Sequence, residues 1–259
     1  MGKKQTVVWT ASRSLTESQQ DDLLQAGWHY IHRPFITLEI VTDVIKLKCE
    51  VPQVILFISK KAVDGYLWQR SHQIIQDTNA FVIAISQPTA DYIEEKMAIR
   101  PQLVGEGQTA QQMFRWLHEN NLLENFEHFL VPISRQSAGK YASLANQYFS
   151  KVILEEWIVY SNQRTTATTA AIRSTYRQLK SNDMMVFASP SAWNNWFSVI
   201  EADNLPINLL LKDINILAIG PVTAAAIEYD GFNVSHLAQH FSFDVIVNLI
   251  VNLRRREKE

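Results

Sequence analysis

The chain has 259 residues, 47% hydrophobic and 19% charged, enough for about two packed domains and too apolar for global disorder. Lys and Arg total 24 against 26 Asp and Glu, a net charge of −2, which excludes a nucleic-acid binder living on bulk phosphate attraction. The single cysteine, Cys49, excludes an internal disulfide and a cysteine-built zinc site, and no apolar run reaches the roughly 20 residues of a membrane helix.

In chain order, Gln5-Thr6-Val7-Val8-Trp9 reads as a short buried strand, followed by a helix around 21–27 and a strand at 28–31 that carries His29. The apolar stretch behind Lys3 and Lys4 stops at Trp9, too short for a signal-peptide core, and the expected location is cytoplasmic. Met1-Gly2 with Thr6 fits the loose myristoylation pattern only by chance, because a strand begins at once. Residues 35–42 follow Pro34 and alternate apolar with polar side chains, as an extended ribbon does. Val54-Ile55-Leu56-Phe57-Ile58-Ser59 is an apolar strand ending in serine before a helix through Leu67. Phe81-Val82-Ile83-Ala84-Ile85-Ser86 is a second strand, turning at Gln87-Pro88-Thr89 into another helix. A strand at 129–133, a helix at 141–145 and a strand from Val152 to Tyr160 follow. The Thr-rich stretch 161–169 predicts a second extended connection. Met184-Met185-Val186-Phe187-Ala188-Ser189-Pro190-Ser191 and Ile214-Asn215-Ile216-Leu217-Ala218-Ile219-Gly220-Pro221-Val222-Thr223 complete the series, each ahead of a helix.

These segments repeat. The strand-turn-helix units at Ser59 and Thr89 recur in the same order at Ser189 and Thr223, with 30 residues between the first pair and 34 between the second. The units beginning at Gln5 and Phe129 form a weaker second pair. Short buried strands alternating with helices predict βαβ units and parallel sheets, hence two similar α/β domains. The repeat alone is compatible with either pairing of units into domains.

In parallel α/β sheets, ligands collect beyond the carboxyl ends of the strands. The residues predicted there are Ser59, Ser86, Thr89, Ser189, Ser191 and Thr223. Pro88 and Pro221 suit the first turn of a helix, which sets Thr89 and Thr223 beside free backbone N–H groups able to hold a carboxylate or phosphate. Singly, each hydroxyl reads as a helix cap. As a matched set they read as an anion-binding cleft. Gly105-Glu106-Gly107 lacks the third glycine of a dinucleotide fingerprint, and no Walker A sequence occurs. His236 and His240 have no third ligand, so no metal is expected. Ser137-Ala138-Gly139-Lys140 matches S-x-x-K without the rest of a lactamase-type set.

Taken together, these pieces resemble the uroporphyrinogen-III synthase family. Phe57-Ile58-Ser59-Lys60-Lys61-Ala62-Val63 is similar to the family's F-T-S-x-N-A-V, and Phe187-Ala188-Ser189-Pro190-Ser191-Ala192 echoes it. Ala218-Ile219-Gly220-Pro221-Val222-Thr223-Ala224, with Gly231 behind it, is similar to A-I-G-x-T-T-A followed by glycine. Val159-Tyr160 falls where the family carries a Val-Tyr pair. The chain departs at Thr10-Ala11-Ser12, where the family has Thr-Arg-Pro, and at Arg135 to Lys140, where it has R-G-E-G-G-R. It departs again at Lys61 and at Val222.

The resemblance implies one discontinuous α/β domain of residues 1–35 plus 166–259 and a second of 44–160. Linkers 36–43 and 161–165 would form a two-stranded ribbon, with the active-site cleft between the domains. It also implies a cofactor-free lyase of haem biosynthesis that cyclises hydroxymethylbilane with inversion of ring D. Tyr160, whose phenol keeps its proton near pH 7, is the candidate acid for the leaving hydroxyl; the alternative is a ring that only packs at the linker. Thr223 is the second catalytic candidate, and Ser59, Thr89, Ser189, Ser191 and Gly220 are the substrate-binding candidates. Tyr160 and Thr223 are expected to reach the cleft without belonging to a core. The expected partners are the small-molecule substrate and, transiently, hydroxymethylbilane synthase; a monomer is expected, with no nucleic acid and no membrane. The rival reading is a non-catalytic two-lobed binder of a small anionic ligand or tetrapyrrole.

Overall fold

A computed structural model describes residues 5–73, 75, 77, 79–106, 109–123, 125–206, 213–238 and 242–256. In chain order the elements are β1 (Thr6–Trp9), α1 (Glu17–Gln25), β2 (His29–His32), β3 (Thr37–Ile40), β4 (Val54–Phe57), α2 (Lys60–Arg70), β5 (Phe81–Ala84), α3 (Gln87–Met97), β6 (Leu103–Val104), α4 (Ala110–Glu119), β7 (His128–Ser134), α5 (Lys140–Tyr148), β8 (Ile153–Gln163), α6 (Thr166–Gln178), β9 (Met184–Phe187), α7 (Pro190–Ala202), β10 (Asn215–Ala218), α8 (Pro221–Tyr229), β11 (His236–Leu237) and α9 (Phe243–Arg256). The chain divides into two compact units, Met1–Thr37 with Gln163–Glu259, and Leu38–Asn162. The divisions fall at β3 and at the end of β8, which are neighbours in one sheet.

The first unit holds a five-stranded parallel sheet in the order β11-β10-β9-β1-β2. All four residues of β9, Met184 to Phe187, are buried, as expected of a strand covered on both faces. One face is sealed by α1 and α9 through Leu23, Ile246 and Ile250, with Trp28 ahead of β2 packed among them. Trp193 and Trp196 of α7 pack on Phe187 with ring centroids 5.1 and 6.0 Å away. The second unit holds a six-stranded sheet, β3-β8-β7-β4-β5-β6, with β4 to β8 paired in parallel. Its core lies in two layers, one around Phe57, Tyr66 and Trp157, the other around Phe114, Phe129 and Ile133.

The two sheets are built from the same halves joined in opposite chain order. In the second unit, β4-α2-β5-α3-β6 runs outward from the centre and β7-α5-β8 is added afterwards on the other side. In the first unit, β1-α1-β2 comes first and β9-α7-β10-α8-β11 runs outward afterwards. The strong repeat therefore matches β4–β6 with β9–β11, and the weak repeat matches β7–β8 with β1–β2. Each sheet reverses direction once, at β4/β7 and at β1/β9, and these are the switch points where α/β sheets take ligands.

One expectation is corrected. The stretch 161–169 is extended only to Gln163, and Thr166 to Thr169 form the first turn of α6. The Thr165 hydroxyl accepts the Thr168 amide at 3.1 Å, and the Thr168 and Thr169 hydroxyls donate to the Thr165 carbonyl at 2.8 and 3.0 Å. Threonine favours strands in general, but here capping and back-bonding satisfy the helix start locally and prevail.

Candidate active site

Four strand-to-helix turns at the carboxyl edges share one backbone geometry. Their cap residues are Ser59 (φ −169°, ψ 160°), Ser86 (−159°, 160°), Ser189 (−167°, 158°) and Gly220 (−177°, 166°). Ser59 and Ser189 cap their helices in the same way, accepting the amides of Ala62 at 3.1 Å and Ala192 at 3.2 Å. Pro88, Pro190 and Pro221 stand in the first turn, where a missing N–H costs nothing. The first amides of each helix, such as those of Lys60 and Lys61, lie outside the helix's own bonding and carry its positive end.

In the second unit, the Tyr160 hydroxyl lies 3.3 Å from Ser59 Oγ, so the last buried stretch of β8 meets the start of α2 at the switch point. Ser86 and Thr89 bond through their hydroxyls at 3.2 Å, and Thr89 is only 4% exposed. After β7, Ser134 Oγ bonds Ser137 Oγ at 2.9 Å, and Gln136 exchanges two bonds with the Asn162 backbone, of 2.7 and 2.9 Å. Glu156 accepts the amides of Gly139, Tyr141 (2.6 Å) and Ala142 (3.0 Å), so the start of α5 already holds a carboxylate from its own chain. Burial first, then the neighbouring Tyr160 and Glu156, push the Tyr141 phenol up to about 12.

In the first unit, Ser189 and Ser191 are half-buried at the start of α7, and space around Gly220 is open where a Cβ would stand. Val222, beside it, is 72% exposed, whereas Thr223 is buried. Thr10, just past β1, is fully buried and its hydroxyl donates to the Val186 carbonyl of β9 at 2.7 Å.

Contrary to the sequence expectation, Tyr160 belongs to a core and Thr223 is buried. Tyr160 is 9% exposed and packs with Trp157 and Val159, its hydroxyl alone directed at Ser59. Thr223 is the third residue of α8, and the extended Gly220 turns that position inward, as Ser86 does for Thr89. The binding candidates read from the sequence leave out the cations at the same edges: Lys60 and Lys61 after β4, Arg135 after β7, Lys140 opening α5, and Arg13 after β1. Lys60, Arg135, Lys140 and Arg13 are exposed; Arg13 lies 4.7 Å over the Phe243 ring. The readable signal is a cation within a few residues after each of these strands. His236 lies on β11, while His240, Gly107, the Met1-Gly2 pair and 257–259 fall outside the described residues. Among the described residues, no cluster of three or more His, Cys, Asp or Glu is placed to hold a metal, and no helix is long and apolar enough to cross a membrane.

Each unit is a parallel α/β body whose carboxyl edge carries helix starts, one capped by a serine hydroxyl in each unit, with amides and nearby cations that suit anionic groups. A family model described as uroporphyrinogen-III synthase HemD matches residues 18–248, and the chain belongs to that family, whose members are enzymes of tetrapyrrole biosynthesis. Its fold is similar to uroporphyrinogen-III synthetase from Helicobacter pylori, at 15% identity and TM-score 0.64, covering 96% of this chain and 99% of that one. It is also similar to a mutant uroporphyrinogen III synthase from the extremely thermophilic bacterium Thermus thermophilus, at 13% identity and TM-score 0.61, covering 97% and 99%. No curated protein matches the chain.

Proposed function

We propose that this chain is an active uroporphyrinogen-III synthase, a lyase that needs no cofactor, working as a cytoplasmic monomer on hydroxymethylbilane. The observation that carries the reading is the fourfold turn, one backbone geometry repeated at both carboxyl edges in a chain of this family. Substrate carboxylates are held by helix-start amides and hydroxyls at Ser59, Ser189, Ser191 and Gly220, helped by Lys60, Lys61 and Arg135. Thr89 and Thr223 brace the same turns from beneath. Tyr160 gives its proton to the leaving hydroxyl, which departs as water and leaves an electrophilic azafulvenium cation; the phenolate recovers a proton when the closed ring loses one to regain its pyrrole. The ring-D pyrrole attacks through its substituted carbon, and the spiro intermediate fragments and recloses inverted. Ser59 Oγ, 3.3 Å from the phenol, keeps the Tyr160 O–H at the helix start, where the positive dipole end favours the phenolate left behind.

The test is a coupled assay in which hydroxymethylbilane synthase supplies the substrate and the product isomers are separated. The type III isomer, formed faster than spontaneous closure, is the expected result. Type I product alone at the uncatalysed rate would overturn the proposal and leave a tetrapyrrole-binding role.

A further inference from the structure

Gly65 stands in the middle of α2, a position where glycine is disfavoured. A Cβ there would lie 2.5 Å from the Val159 carbonyl oxygen, 2.7 Å from its Cγ2 and 2.8 Å from its Cβ. The helix approaches β8 this closely only because residue 65 has no side chain. The contact falls on a bulge. Ile133 of β7 is paired with Ile158 of β8, but the next residue, Ser134, is paired with Tyr160, so Val159 is the extra residue. In a regular strand Tyr160 would face the same side as Ile158, which packs in the core layer of Phe129 and Ile133. Instead it packs in the opposite layer, beside Val159 and Trp157. Bulges re-aim side chains in this way. The re-aimed phenol arrives 3.3 Å from Ser59, the cap of the helix that carries Gly65. The same Val159 carbonyl also accepts the Val41 amide at 3.0 Å, which ties the bulge to the chain after β3.

We infer that Gly65 is a positioning residue: by letting α2 seat against the bulge at Val159, it sets the Tyr160 phenol at the start of that helix. The inference rests on the reading of Tyr160 as the proton donor. Its test measures kcat, KM and product isomer for the wild type, Gly65→Ala, Tyr160→Phe and the double variant. A misplacement of about 1 Å costs on the order of 10²-fold, so Gly65→Ala is expected to lower kcat by about 10- to 100-fold with little change in KM. In the Tyr160→Phe background the same substitution is expected to change kcat little, because no phenol is left to misplace. Full kcat in Gly65→Ala, or an equal fractional loss in both backgrounds, overturns the inference while leaving Tyr160's role standing. Full rate in Tyr160→Phe overturns the reading of Tyr160 itself. If Gly65→Ala does not fold, Val159→Ala loosens the same contact without adding atoms. Its expected loss is smaller, about 3- to 10-fold in kcat, and again confined to proteins that keep the Tyr160 hydroxyl. Unchanged kcat in Val159→Ala overturns the inference as well.

Discussion

Among single side chains Tyr160 makes the sharpest case, because its ring is core while its oxygen reaches a helix cap. Tyr160→Phe keeps the ring and removes one neutral hydrogen bond, so the stability change expected is about 1 kcal/mol or less. General-acid help contributes about 10²–10⁴-fold, and a loss of kcat in that range with a melting temperature within about 4 °C of the wild type is the expected outcome. A full rate with full type III product would make Tyr160 structural. Tyr141, beside it, carries a different signature. Its phenol is raised to about 12 by burial, then by Tyr160 and Glu156, against about 10 in the unfolded chain. The folded state therefore prefers the neutral form. Its contribution is whole below pH 10 and is lost as the pH rises from about 10 to about 12, where the unfolded chain ionises first. Tyr141→Phe should flatten that part of the alkaline stability curve in urea titrations and leave the neutral region nearly unchanged. An unaltered slope would count against the buried environment of Tyr141.

The start of α5 differs from the other helix starts because its anion is built in. Glu156 reaches it from β8, a residue 15 positions from Tyr141 in the chain. Hydrogen bonds to a charged acceptor are worth about 1.5–3 kcal/mol, so Glu156→Ala should lower stability by about that amount. The emptied amides would then be open to a small anion. Added sulfate should therefore raise the melting temperature of Glu156→Ala more than that of the wild type, in a thermal-shift series at fixed ionic strength. Equal shifts would show that the carboxylate does not occupy that helix start. Lys140 and Arg135 flank the same turn, so a loss of substrate affinity in Glu156→Ala would trace to their displacement.

For the whole molecule, the swapped order of halves decides which piece can stand alone. Strands β4 to β7, and β8 but for its last residue, are contained in 38–162, with both core layers beside them. That fragment should fold by itself, with one cooperative urea transition followed by tryptophan fluorescence. Residues 163–259 lack β1, which lies in the sheet between β9 and β2. They would leave the β9 edge and the Trp9, Val7 and Leu23 side of the core uncovered, and should be soluble and cooperative only when 1–37 is supplied. A cooperative transition in isolated 163–259 would refute this reading of the sheet.

The features legible in the order of residues are those that short-range chemistry controls. The runs at 54–57 and 184–187 are strands because both faces are apolar. Ser59 and Ser189 cap helices because their hydroxyls reach amides three residues on. The repeated spacing of these units made two parallel α/β domains legible. The misreading of Thr166 to Thr169 was also local, a contest between strand preference and capping that the Thr165 hydroxyl decided. Contacts between residues far apart in the chain were fixed by packing instead. The Tyr160–Ser59 pair spans 101 positions, and no pattern near either residue encodes the bulge that joins them. The order of strands, the filled start of α5 and the burial of Thr223 likewise depend on which surfaces meet. A run of apolar residues says that a strand is covered, but only packing selects what covers it.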